Sequence, residues 1–209
     1  MSIEDFIASV ASKEPAPGGG AVSAVTASMG AALGCMVCNL TIGKKKYAAY
    51  TQDLEYLLAE MTRLTDAFQR LAQADETAFL PLSAAYRLPN TTEAEKAEKE
   101  RVMEDALRVA SDVPLEMMSR AVEAIKLHAK LCPISSALAI SDVGAGVVCC
   151  KSALISASLN VFINTGLMKK RDIAAELNSK AERLIEEGTA IADRVLDDVK
   201  AIIERKAAK

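Results

Sequence analysis

From Tyr50 to Leu82 apolar residues recur at helical spacing, through Leu54, Leu57, Met61, Leu64, Phe68, Leu71 and Ala78, and Asp75 occupies the position missing from that stripe. A carboxylate in register with a buried seam is a candidate general acid or base, because burial raises its pKa unless a cation or hydrogen bonds hold it charged. A structural role, capping a neighbouring helix or pairing a lysine, is the alternative. Asn160 and Asn164, in the run LNVFIN, stand one turn apart on a shared helix face. Paired amides on an apolar helix offer donors and acceptors to a flat heterocycle, and they serve equally for bonding one helix to another. Gly18, Gly19 and Gly20 follow Pro15 and Pro17 and open a charge-free helix. Glycine takes backbone conformations closed to other residues, so a tight turn is expected there. The first amides of the helix would then point outward as a seat for an anion or carbonyl. At the other end of that helix stand Lys44, Lys45 and Lys46, with a weaker basic cluster at Lys169 to Arg171.

Other chemistries find less support. Five cysteines, an odd number, argue against a disulfide framework and for a reducing cytoplasm. Cys35 and Cys38 form a CxxC deep in an apolar helix rather than at a helix start, and a zinc site would need a second motif that Cys132, Cys149, Cys150 and His128 do not make. They read as small buried side chains. His128, the only histidine, excludes an HExxH site, makes a Ser-His-Asp triad a poor fit and is expected at the surface or partly buried. A ferritin-like ExxH is missing because Ile125 stands where the Glu should be. A net charge of −3 argues against a general nucleic-acid binder.

The elements that must position these residues are helices. The 209 residues are 51% hydrophobic but only 4% aromatic, a composition that favours helix packed on helix in one domain spanning residues 1–209. Ser2 with Asp5 starts a short amphipathic helix through Ile3, Phe6, Ile7 and Val10. The small-residue helix after Gly20 carries Gly30 and Gly34 on one face, so neighbouring backbones can approach closely. The uncharged run from Pro15 to Gly43 also resembles a membrane span with a basic flank. Its Ala, Gly, Ser and Thr make it only mildly apolar, and a helix apolar all round because it is buried in a bundle is the preferred reading, with no membrane partner. Thr92 and Glu95 start a helix that Pro114 is expected to kink or divide. A second nearly uncharged helix is expected over residues 135–165, with Gly144 and Gly146 near its start, and an outer cover helix over 172–206. The fold class is all-α, a single-domain bundle of long, partly kinked helices around two small-residue-rich central ones.

The PGGG turn, the MGAALGCMV core, the GKKKY corner, the DETAF segment, the SDV at Ser141 to Val143 and the LNVFIN helix together resemble the formiminotetrahydrofolate cyclodeaminase and methenyltetrahydrofolate cyclohydrolase family, over essentially the full length. The resemblance implies an all-helical, cytoplasmic, homodimeric folate enzyme with no metal and no cofactor beyond its tetrahydrofolate substrate, polyglutamylated forms included. Asp75, Ala78 and Phe79 match the D-x-x-A-F context of the family's catalytic aspartate. The PGGG turn and the basic corner carry over as substrate contacts, which makes Gly18, Gly19, Gly20, Asn39, Lys45, Lys46 and Tyr47 binding candidates. One of Lys44 to Lys46, with Lys44 the candidate, supplies a cationic partner to Asp75 or binds the glutamate tail, Asn160 and Asn164 address the pterin, and Phe79 either makes a plain core contact, the preferred reading, or lies against the ring. Asp142 belongs to the same set, although relatives often have Gly-Asn before the SD pair where this chain reads CPISSALAISD.

The resemblance implies a cyclohydrolase making 10-formyltetrahydrofolate, or a cyclodeaminase releasing ammonia; a non-catalytic folate-binding bundle is the third reading. At about 1.5 Å per residue, the glycine turn and the lysines lie roughly 30 Å apart, and Asp142 about 27 Å from Asn160. One folate does not span either pair, so either a second subunit supplies some of these residues or some are structural.

Overall fold

The computed structural model describes residues 2–207. Six α-helices follow one another: α1 (Ile3–Val10), α2 (Gly19–Thr41), α3 (Thr51–Tyr86), α4 (Glu93–Leu131), α5 (Ile140–Leu167) and α6 (Arg171–Ala207), with short 3-10 turns at Lys45–Tyr50 and Cys132–Ile134. No strand occurs among the described residues. Both expected capping boxes form: Asp5 N donates to Ser2 Oγ at 3.1 Å, Glu95 N donates to Thr92 Oγ1 at 3.2 Å, and each carboxylate accepts the cap residue's own amide.

Helices α2 and α5 run antiparallel at the centre. Gly19 lies beside Asn160 at one end of the pair, Gly30 meets Gly146 and Cys150 midway, and Thr41 accepts a hydrogen bond from Ser136 N at the other end. Helix α3 returns along α2, with Ser28 Oγ donating to the Thr65 carbonyl, and α4 lies behind both. Helix α6 covers α4 and α5, and Glu104 of α4 caps its start by accepting the amides of Lys169 at 2.7 Å and Lys170 at 3.0 Å.

The small residues permit the central crossing. A Cβ on Gly30 would stand 2.7 Å from Cys150 Sγ and 2.8 Å from the Gly146 carbonyl, so a methyl group has no room. The same absence of side chains changes the reading of His128. Expected at the surface or partly buried, it is fully buried, filling the space that Gly34 and Gly146 leave open, with Nε2 3.1 Å from the Gly30 carbonyl. Its Nδ1 has no hydrogen-bond partner, which identifies a neutral ring donating through Nε2.

Of the two outcomes expected at Pro114, a kink or a division, the division does not occur: the helix is continuous from Glu93 to Leu131. Nor is α2 buried all round, because Val22, Met29, Met36 and Leu40 are exposed. On α5, Val148, Ile155, Leu159 and Ile163 are exposed too. By length and composition alone both helices are apolar enough to cross a membrane. In this fold each presents one face to the core and the other outward.

Burial lowers the His128 pKa from the usual 6.5 to about 4, because the desolvated ring resists protonation. Between those values the unfolded chain binds a proton that the folded chain refuses, so this contribution to stability is complete above pH 6.5 and is lost as pH falls toward 4. The loss amounts to at most about 3 kcal/mol, and replacing His128 with Gln removes that pH dependence. Urea denaturation midpoints of the two proteins, measured across this range, test it.

Candidate active site

At the N-terminus of α2 the chain forms a cleft of about 190 Å³ lined by Pro15, Ala16, Gly18, Gly19, Gly20, Asp75, Phe79, Ala110, Asn160, Ile163 and Asn164. The fold thus gathers seven of the candidate residues, from α2, α3 and α5. A larger cleft of about 410 Å³ between residues 97–105 of α4 and residues 169–170 already pairs its own acids and bases and holds none of the candidates.

Asp75 sits directly over the Cα of Gly20, so close that a Cβ there would overlap its carboxylate. The glycines therefore act differently from the expected tight turn. Gly18 has an ordinary extended backbone, with φ −119°, and Gly43 is the only described residue with positive φ. What Gly20 supplies is space, which lets the carboxylate reach the exposed start of α2. There it accepts a hydrogen bond from Ala21 N–H, so one helix amide expected to await a ligand is occupied by Asp75. Burial raises the Asp75 pKa above the usual carboxylate value, the Ala21 amide opposes this, and neighbouring Glu76 adds to it. Desolvation prevails, so the group is poised to take and return a proton.

The two asparagines differ. Asn160 Nδ2 donates back to the Ser156 carbonyl of its own helix at 3.2 Å. Asn164, nearly buried, donates Nδ2 across to the Ala110 carbonyl of α4 at 3.0 Å. That carbonyl needs a partner because the residue four positions on is Pro114, which has no N–H to give. Asn164 thus repairs the proline's gap in α4 while its carbonyl oxygen remains for the cleft. A proline inside a helical pattern announces an orphan carbonyl four residues earlier, so sequence alone held a signal for Ala110. Phe79 lines the cleft and also packs beside Leu82 and Leu107.

The remaining candidates lie at the far end of α2 and α5, about 30 Å away. Lys44 Nζ donates to Ser136 Oγ at 3.0 Å, Tyr47 OH accepts from Ala137 N at 3.3 Å, and Lys46 lies over the Tyr47 ring at 5.5 Å. Asn39 and Lys45 are exposed there, and Asp142 is in the first turn of α5. Within one chain Lys44 is therefore no partner of Asp75, because the whole length of α2 separates them. Among the described residues no group of three or more His, Cys, Asp or Glu gathers as a metal site. Cys38, Cys132 and Cys150 are buried, which raises their thiol pKa values, and Cys35 and Cys149 are partly buried.

A desolvated carboxylate thus stands beside two side-chain amides in an all-helical frame, groups able to exchange a proton and to hydrogen-bond a polar molecule. The sequence profile of the formiminotransferase-cyclodeaminase family matches residues 2–183, and the chain belongs to that family. It is 38% identical over 200 residues to a methenyltetrahydrofolate cyclohydrolase of Methylorubrum extorquens, covering 96% of each chain. It is 28% identical to formimidoyltransferase-cyclodeaminase of Gallus gallus, covering 97% of this chain and 37% of that one. The crystal structure of formiminotetrahydrofolate cyclodeaminase from Thermotoga maritima superposes with a TM-score of 0.81 at 26% identity, covering 99% of this chain and 98% of that one.

Gly20→Ala drives the Asp75 carboxylate off its seat and lowers kcat at least about tenfold, whereas Gly18→Ala, whose Cβ would find only the Pro15 carbonyl at 3.9 Å, leaves it nearly unchanged. Steady-state kinetics of the two variants tests this. Asn164→Ala strips the Ala110 carbonyl of its donor and destabilises by about 1–3 kcal/mol. Pro114→Ala restores a backbone donor, so the double variant loses less than Asn164→Ala alone, as a denaturation cycle measures.

Proposed function

We propose that the protein is a methenyltetrahydrofolate cyclohydrolase, converting 5,10-methenyltetrahydrofolate to 10-formyltetrahydrofolate. The observation that carries this reading is Asp75, seated over Gly20 and raised in pKa, facing Asn160 and Asn164 across the cleft. The 38% identical relative of nearly equal length favours it over other folate chemistry.

Water adds to the carbon that bridges N5 and N10, and Asp75 accepts the proton it loses. Collapse of the tetrahedral adduct breaks the bond to N5, which takes a proton from Asp75 while the adduct's hydroxyl releases its own. One water is consumed and one proton is released overall. Only proton transfers are needed, so no metal or further cofactor enters the proposal. Asn164 and Asn160 hold the pterin edge and Phe79 contacts its ring. We place the enzyme in the cytoplasm, where five free cysteines suit a reducing environment, and assign it a homodimer through the exposed face of α2 and α5.

The cyclodeaminase reaction is the second reading, favoured by the full-length likeness to the Thermotoga maritima enzyme. There N10 attacks the formimino carbon and Asp75 protonates the departing ammonia.

Pure protein mixed with 5,10-methenyltetrahydrofolate is expected to remove the methenyl absorbance faster than the spontaneous rate. Appearance of that absorbance with ammonia, starting from 5-formiminotetrahydrofolate, would establish the deaminase instead; silence in both would leave a folate-binding bundle. Asp75→Asn abolishes turnover while preserving the fold. Because the base must be ionised, wild-type kcat/KM falls as pH drops through the raised Asp75 pKa.

A further inference from the structure

A side-chain amide has an oxygen end and a nitrogen end, and the end that meets a ligand is decided by whatever holds the other. At Asn164 the decision is made by α4. Ala110 is buried, and in a regular helix its carbonyl accepts the N–H of the residue four positions on. That residue is Pro114, inside the same helix, and proline has no N–H. A carbonyl only accepts, so the group that serves it must be a donor, and Asn164 turns Nδ2 to it at 3.0 Å. The opposite end of the amide, Oδ1, is thereby turned away from α4. Of the buried side-chain polar atoms among the described residues, only His128 Nδ1 lacks a partner. Asn164 Oδ1 accepts no hydrogen bond there either, so it is open to the Asp75 cleft that Asn164 lines.

Reversing this amide would set oxygen against oxygen and orphan the Ala110 carbonyl. The loss of that bond disfavours the reversed state by a factor of roughly 5 to 150. Asn160, one turn earlier, is held more loosely. Its Nδ2 donates to the Ser156 carbonyl at 3.2 Å, an acceptor that the helix pattern already pairs with the backbone N–H of Asn160, so nothing is orphaned when that amide swings away. Asn164 is therefore the fixed contact of the pair and Asn160 the adaptable one.

The α5 side of the cleft thus presents an acceptor of set position, and no Lys, Arg or His stands among the described residues that line it. A ligand carbonyl or carboxylate placed against Oδ1 would be repelled; an N–H would be bound. Tetrahydrofolates carry two adjacent N–H donors, N3–H and the 2-amino group, on the pyrimidine ring, remote from N5 and the bridging carbon. Seating that edge against α5 turns the N5–N10 bridge to the side of the cleft where Asp75 stands.

We propose that Pro114 is a positioning residue for substrate recognition: by withdrawing α4's own donor from Ala110 it holds Asn164 with Oδ1 toward the cleft, where that oxygen accepts from the N3–H and 2-amino edge of the pterin. This assignment rests on the folate reading above, and it adds the orientation of the ring and the residue that enforces it.

The test varies ligand and protein together. 5-Formyltetrahydrofolate, which carries the same pyrimidine edge and no N5–N10 bridge, is titrated calorimetrically beside its 2-desamino-2-methyl counterpart. Wild type binds the first about tenfold or more tightly, because the second sets a methyl group against Oδ1. Pro114→Ala returns an N–H to Ala110 and frees the Asn164 amide, so the ratio falls to about threefold or less. Pro114→Ala/Asn164→Leu, in which no carbonyl is orphaned, binds the two ligands about equally. A wild type that binds both alike, a ratio undiminished in Pro114→Ala, or a double variant that discriminates as wild type does would each overturn the proposal. The second readout needs no ligand. The Asn164 side-chain N–H bonded to Ala110, followed by NMR after transfer to heavy water, exchanges slowly in wild type and about tenfold or more faster in Pro114→Ala. Fast exchange in wild type would overturn the holding of the amide. Slow exchange that depends on Pro114, with neither folate bound, would instead remove the folate reading and leave Pro114 as the residue that orients Asn164.

Discussion

The close approach of α2 and α5 is the constraint on which the rest of the structure depends. Two helices come this near only where side chains are missing, and Gly30 and Gly146 leave them out at the crossing. Each interior glycine costs its helix about 1 kcal/mol relative to alanine, so α2 is a poor helix by propensity and owes its order to the partners that fill its surface. His128 is one of them, a polar ring admitted to the core because Gly34 and Gly146 make room and the Gly30 carbonyl accepts its N–H.

The same logic builds the cleft. Gly20 withholds a side chain where Asp75 must descend, and the carboxylate settles against the first turn of α2. Its environment is a balance: desolvation raises its pKa, and the Ala21 amide restrains the rise without cancelling it. Across the cleft, Pro114 withdraws a backbone donor from α4 and Asn164 of α5 supplies another. Secondary-structure repair and the proposed ligand contact thus meet in one amide, and the role of Asn164 is set by Pro114, four residues beyond the acceptor Ala110 on α4.

Much of this was legible in the sequence. Helix order, both capping boxes and the seam around Asp75 follow from periodicity and end signals, because an amphipathic helix writes its buried face into its own spacing. Three features were not legible. His128 was expected at the surface or partly buried because the cavity that holds it is made by glycines remote in sequence. Whether Pro114 would kink or divide its helix was left open because the amide that serves the orphaned carbonyl lies on α5. The uncharged run of α2 was expected to be buried on every side because composition records how apolar a helix is, without recording which neighbours cover each face.

By itself, then, the sequence determined the elements and the chemical character of the residues: an all-helical chain with one carboxylate in a buried stripe, paired amides, a glycine entry and a basic corner. Those properties are local, fixed by residue type and by spacing along one helix. The tertiary structure alone decided which of them meet. It joined Gly20, Asp75 and Asn164 in one cleft and held the lysines a helix length away, because the distance between residues far apart in sequence is set by how helices cross and where they lack side chains.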